Sequence, residues 1–200
     1  MKNIYLFGPN ITQGSGQDSE ILGGKGANLA EMTNLDIPVP PGFTITTKVS
    51  NYFMDNYKFP KNLSSEINSA LQKIEDIMGK KFGCPKNPLL VSVRSGAKES
   101  MPGMMETVLN VGLTSKTVVG LAEITSNKRF AYDSYRRLIM MYADVVMEKS
   151  NSIKIKNNSG IRHILENYME NYKNNNGYKE DVDITADDLI YICEEFKKII

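Results

Sequence analysis

Near residue 113 the hydrophobic pattern of this chain changes period, and that change limits the fold more than any other feature. Before it, short β-branched and aromatic runs are separated by glycine- and proline-marked breaks. "NIYLFG" (3–8) reads as a first strand, and "GFTITT" (42–47), "LLVSVRS" (89–95) and "TVLNVGL" (107–113) read as further strands. "GGKGANLAEMTNL" (23–35) opens on glycines and continues as a short helix, stopped by Pro38, Pro40 and Pro41. Val49, Tyr52, Phe53 and Tyr57 recur at helical spacing. Ile67, Ala70, Leu71, Ile74 and Met78 do so as the strongest amphipathic helix of the first half. "GKKFGCPKNP" (79–88) is a turn-rich break.

After residue 113 no strand pattern remains. Ala131, Tyr135, Leu138, Tyr142 and Val145 mark one long helix, and Ile161, Ile164, Leu165, Tyr168 and Tyr172 mark another. Leu189, Ile192 and Phe196 mark a third, with Thr185 placed to cap it. The expectation is an α/β part over 1–112 followed by a helical part over 113–200, without internal repeats. The last residues, "EEFKKII", fall in the middle of a periodic helix with no stop signal, which suggests one piece of a longer sequence.

The totals exclude several classes. A formal net charge of +1 argues against a nucleic-acid partner. The two cysteines, Cys84 and Cys193, lack metal or disulfide-framework spacing. No secretory h-region and no membrane-length apolar run is present, so a cytoplasmic protein is expected.

Residues 91–112, "VSVRSGAKESMPGMMETVLNVG", begin and end as strand. The connection between is longer than a hairpin turn and carries charge, a Pro-Gly pair and three methionines. Arg94, at the end of the apolar run, is either paired with a carboxylate or aimed at a ligand whose oxygens suit its planar fork. Ser95 and Gly96 keep its surroundings small. Met101, Met104 and Met105 around Pro102 and Gly103 read as a flap with an apolar face.

"GGKGAN" (23–28) places Lys25 among Gly23, Gly24 and Gly26 at a helix start. Free N–H groups and a lysine charge there suit phosphate, although a simple glycine-rich turn has the same composition. The P-loop pattern fails, because Ser19 stands where glycine is needed and Gly26 where Ser or Thr is needed. His163, the single histidine, reads as a helix-surface residue. Lys128, Arg129, Arg136 and Arg137 form a basic stretch with interleaved aromatics, read as the solvated side of an amphipathic helix rather than a nucleic-acid face.

Three blocks, "ILGGKGANLAEMTNLDIPVPPGFTITT" (21–47), "GKKFGCPKNPLLVSVRSGAKESMPGMMETVLNVGL" (79–113) and "RFAYDSYRRLIMMYADVV" (129–146), resemble the pyruvate, phosphate dikinase family in the same order. The resemblance implies an α/β ATP-grasp-like N-terminal subdomain, residues 1–112, with a helical insertion over 113–200. It implies ATP and AMP as substrates, Lys25 and Arg94 as phosphate-binding residues, and Gly103 in a loop that closes over the phosphates. Gly24, Gly26, Ser95, Met101, Pro102 and Met104 are its neighbours. The family's Mg2+ ligands, phosphohistidine domain and pyruvate-binding barrel are expected outside this chain. It therefore carries no catalytic residue and no metal site of its own and is inactive alone, while the intact enzyme is a homodimer using ATP, phosphate and pyruvate. The related pyruvate, water dikinase would read "GGKNASL" and "VRSSATAEDLPDASFAGQ" in these places, so inorganic phosphate is the better acceptor. A non-catalytic nucleotide-binding module is the remaining alternative.

Overall fold

The computed structural model describes residues 2–95, 107–150 and 160–200. Among them it is a mixed α/β chain with small sheets and seven α-helices. It divides into two compact units, Met1–Lys80 with Arg94–Glu106, and Lys81–Val93 with Thr107–Ile200.

The first unit is built on strand alternation. β1 (Ile4–Gly8) pairs antiparallel with β3 (Gly42–Ile45), Ile4 opposite Ile45 and Leu6 opposite Phe43, and with the short β2 (Ile11–Thr12) on its other edge. Successive side chains of a strand point to opposite faces. Ile4 and Leu6 accordingly meet Ala70 and Ile67 of α3 (Leu63–Met78), while Tyr5 packs with Leu22, Ala27 and Ala30 of α1 (Ser19–Asn34). The Asn3 amide donates to Glu66 Oε1 at 2.9 Å, tying α3 to the start of β1. α2 (Thr47–Asn56) follows β3 directly. "GFTITT" is therefore strand only as far as Ile45. Thr46 takes the position before a helix and Thr47 is already helical.

In the second unit the break at 79–88 contains a short parallel pair, β4 (Lys81–Phe82) with β5 (Pro88–Leu89). β6 (Val91–Arg94) pairs with β7 (Thr107–Val111). α4 (Thr117–Thr125) has no counterpart in the sequence reading. Its apolar residues run all round, with Val118 buried while Val119 and Ile124 are exposed, so no helical stripe announces it. α5 (Lys128–Tyr142) ends in a π-helical turn over Ala143–Glu148. α6 (Gly160–Asn176) and α7 (Ala186–Ile199) complete the unit. Ile161, Leu165, Leu189, Ile192 and Phe196 make a core in which each is at most 1% exposed. Thr185 caps α7, its hydroxyl accepting from the Asp188 N–H.

Charges buried in this helical core are paired. Arg136 reaches Asp133 at 2.6 Å and Asp181 at 3.3 Å, and Lys173 reaches Glu170 at 2.6 Å and Asp181 at 3.1 Å. Arg129 donates to the carbonyls of Asp181 and Ile184. Lys128 pairs with Asp187 and Arg137 with Asp133. The basic residues of the 128–137 stretch thus each engage carboxylates or carbonyls of their own fold. His163 is exposed on α6.

Candidate functional site

The glycine–lysine segment lies four residues into α1 rather than at its start. Gly23 breaks the helix there with φ 69° and ψ 165°, a conformation open in practice only to glycine. An α-helical hydrogen bond from N–H(i) to C=O(i−4) closes a ring through the three residues between. The rings joining Gly24 N–H to Glu20 and Lys25 N–H to Ile21 both contain Gly23. Gly23, out of helical geometry, divides α1 into two helical segments, and Gly24 and Lys25 open the second. The helix start expected at "GGKGAN" is a break inside a longer helix.

Packing fixes where this second start lies. Gly26 is buried against β3: a Cβ there would stand 2.7 Å from Thr44 Cγ2 and 2.9 Å from Thr44 Oγ1. A glycine at this position lets the helix approach the strand closely. Leu22, Ala27 and Ala30, each 2% exposed or less, hold the two segments of α1 on the Tyr5 face of the sheet. The side chain of Lys25 is half-buried and makes no ion pair among the described residues. The Glu20 carbonyl accepts from the Thr47 hydroxyl at 2.7 Å, joining the first turn of α1 to the start of α2.

Further order comes from the loop before α1. Ser15 and Asp18 form a reciprocal cap, with the Ser15 N–H donating to Asp18 Oδ2 at 2.8 Å. The Gly16 N–H donates to Glu31 Oε2 at 2.9 Å, fastening the loop to the middle of α1. Spacing alone gives no sign of the Glu31 contact. Thr47 has a weak sign, a Thr pair just ahead of a helical period.

Arg94 is the last residue of β6 and is exposed. It groups with the compact unit that contains Lys25. Among the described residues it has no carboxylate partner. Beside it, the Ser95 hydroxyl is buried without a hydrogen-bond partner among the described residues. Met101, Pro102, Gly103 and Met104 lie outside the described residues.

The grooves lie elsewhere. One of about 740 Å³ runs between the β1–β2 turn and the proline-rich segment, along Gly8–Thr12, Thr33, Asn34 and Asp36–Pro41. A second, of about 390 Å³, is lined by Leu113, Tyr135, Leu138 and Tyr142 among others in the helical unit. Neither contains Lys25 or Arg94. Among the described residues no three His, Cys, Asp or Glu side chains converge to hold a metal, and no helix is long and apolar enough to cross a membrane.

Fold and sequence together define a mixed α/β protein whose first helix breaks at Gly23, two residues before Lys25. A family model described as pyruvate phosphate dikinase, AMP/ATP-binding domain, matches residues 19–59 and 54–171, which include both Lys25 and Arg94. The chain therefore belongs to the pyruvate, phosphate dikinase family. It is 46% identical over 199 residues to pyruvate, phosphate dikinase of Clostridium symbiosum, covering 99% of this chain and 21% of that protein. It is 44% identical over 200 residues to the Rickettsia bellii enzyme of the same name, with coverage of 99% and 21%. Against the chloroplastic pyruvate, phosphate dikinase 1 of Zea mays the identity is 43% over 199 residues, with coverage of 99% and 20%. The chain spans about a fifth of the length of these curated relatives.

Proposed function

We propose that this chain binds the phosphates of ATP or AMP and serves as the N-terminal, ATP-grasp-like portion of a pyruvate, phosphate dikinase. The observation that carries the reading is the helix break at Gly23, just before Lys25, inside the stretch matched by an AMP/ATP-binding family. Backbone N–H groups at a helix start, together with a lysine point charge, suit phosphate oxygens. In this reading Arg94 supplies a forked second cation, Ser95 a hydroxyl, and Gly103 with Met101, Pro102 and Met104 a loop closing over the phosphates. Residues 1–112 form the α/β part and 113–200 a helical insertion.

The intact enzyme would interconvert ATP, phosphate and pyruvate with AMP, pyrophosphate and phosphoenolpyruvate, through a histidine outside this chain. It would act as a cytoplasmic homodimer. Mg2+ bridges and neutralises nucleotide phosphates in such transfers. In this reading its ligands are supplied by segments outside this chain. What this chain contributes is positioning and charge neutralisation of phosphate groups, the dominant needs of phosphoryl transfer.

The test is calorimetric titration of the intact protein with ATP, for the wild type, Lys25→Ala and Arg94→Ala. A hydrogen bond to a charged group is worth about 1.5–3 kcal/mol, so each variant should lose about tenfold to a hundredfold in affinity with its melting temperature unchanged. Wild-type affinity in both variants would refute the assignment.

A further inference from the structure

The groove of about 390 Å³ in the helical unit takes its main wall from two helical periods. Tyr135, Leu138, Ile139 and Tyr142 hold the i, i+3, i+4 and i+7 positions on α5, which share one face of an α-helix, and all four line the groove. Met147, five residues beyond Tyr142, lines it too. In an α-helix, residues five apart point about 140° away from one another. The π-helical turn over Ala143–Glu148, with hydrogen bonds of the i to i+5 kind, brings that spacing back onto one face. Such turns are rare and frequently mark functional sites. Leu113, just after β7, and Lys197, in the last turn of α7, close the groove.

Lys197 is the one charged residue of the lining among the described residues. Its ammonium donates to Ser115 Oγ at 3.2 Å, and Ser115 Oγ lies 3.3 Å from the Tyr135 hydroxyl. Of two touching hydroxyls only one donates to the other, so one O–H hydrogen has no acceptor among the described residues. The ammonium carries three hydrogens and gives one to Ser115 and one to Glu194, which leaves a third. This corner of an apolar groove thus holds two donors to spare, and a carboxylate has two oxygens to accept them. The Lys197–Glu194 pair lies at the surface one turn apart on α7, and pairs of that kind contribute little, so it does not bar the lysine from a ligand. Because Glu194 shares the lysine, a monoanion fits this corner better than a dianion.

We propose that this groove is a binding site for an aliphatic monocarboxylate, with the tail against Leu113, Leu138, Ile139 and Met147 and the carboxylate on Lys197 and the Tyr135–Ser115 hydroxyl pair. Its volume falls in the range of small-molecule sites, about 300–1,000 Å³. The proposal concerns a ligand other than the nucleotide and does not depend on the phosphate-site reading.

The experiment titrates the protein with octanoate and, separately, with 1-octanol, for the wild type and for Lys197→Met, which keeps the side-chain length and removes the charge. Octanoate should saturate at one equivalent on the wild type and bind Lys197→Met about tenfold more weakly. The uncharged 1-octanol should bind both proteins alike. Methyl resonances of Leu138 and Ile139 should shift on adding octanoate, and Met147→Trp, which fills the groove, should suppress both shift and binding. Absence of saturable octanoate binding to the wild type overturns the proposal, and that result needs no variant to fold. Binding that leaves the Leu138 and Ile139 methyls unshifted puts the ligand elsewhere and overturns the site. Wild-type octanoate affinity in Lys197→Met, or equal loss of octanoate and 1-octanol there, overturns recognition of the carboxylate by the lysine.

Discussion

Arg136 Nη2 lies 2.6 Å from Asp133 Oδ1 one helical turn away, and both side chains are largely withdrawn from water. The same guanidinium reaches Asp181 at 3.3 Å, so one cation fastens the segment before α7 to the middle of α5. Removing one partner of a buried pair leaves the other charge uncompensated, which typically costs about 3–5 kcal/mol. Arg137 still pairs with Asp133, which puts Arg136→Met at the lower end, about 3 kcal/mol. Urea unfolding should show this as a lower midpoint; a loss below about 1 kcal/mol would mean that the buried pair has no net stabilising role.

Acid should loosen this helical unit. Burial alone would raise the Asp133 carboxyl, yet hydrogen bonds and charge from Arg136, with Arg137, hold it below the ordinary aspartate value. Thr185, Tyr172 and Tyr178 hydroxyls all donate to Asp188 and hold it below as well. A carboxyl depressed in the folded state contributes stability that is full above its unfolded pKa of about 3.9 and is lost as pH falls through the folded value. Melting temperature should therefore stay level above about pH 5 and drop steeply below about pH 4. Asp188→Asn should flatten part of that drop, and a variant curve parallel to wild type would rule out Asp188 as a contributor.

Gly23→Ala should damage structure and binding together. The φ of 69° with ψ of 165° lies in a region that costs a non-glycine residue about 1–3 kcal/mol. Because the strain disappears if α1 straightens, the variant should also shift Lys25 and weaken ATP binding. Thermal unfolding and ATP titration of the same sample check both. A destabilised variant with wild-type affinity would separate the break from the phosphate site.

Gly26→Ala tests the helix–strand approach. Its Cβ would meet Thr44 side-chain atoms at 2.7 and 2.9 Å, so α1 or β3 must shift. Overpacking of this kind costs about 1–3 kcal/mol, measurable by urea unfolding. Gly26→Ala combined with Thr44→Ser, which removes the nearer methyl, should recover part of the loss. No recovery would place the strain elsewhere.

The two cysteines should differ sharply in reactivity. Cys193 is 1% exposed in the helical core, where burial pushes its thiol up to about 12. Backbone N–H groups of Asn87 and Lys86 lower that of the partly exposed Cys84. Thiolate and access together set reactivity. A disulfide reagent at neutral pH should label Cys84 quickly and Cys193 only on unfolding, and Cys84→Ser should abolish the fast phase. A fast phase surviving in that variant would contradict the buried setting of Cys193.

Much of this molecule is readable residue by residue. Ile161, Leu165, Leu189, Ile192 and Phe196 recur at helical spacing because each helix buries one stripe, and that stripe is a property of local order. Alternation in "NIYLFG" likewise announces which residues of β1 face α3 and which face α1. Lys25 among glycines and Arg94 after an apolar run mark the candidate site through residue type and order alone. The helix α4 escapes because its apolar residues cover more than one face, so periodicity has nothing to detect.

The tertiary structure decides what depends on residues distant in sequence. "GGKG" is equally compatible with a turn, a helix start or a helix interior. Its actual state, a break within α1, goes with Gly26 pressed onto Thr44 and Leu22 held against the Tyr5 face. The basic stretch of α5 reads as a solvated side, but Arg136 is buried, because Asp181 arrives from 45 residues away to pair with it. Local pattern encodes which face a residue takes. Which glycine meets a neighbouring strand, and which charge finds its partner, is fixed only when separate segments pack, since those contacts exist only in the folded chain.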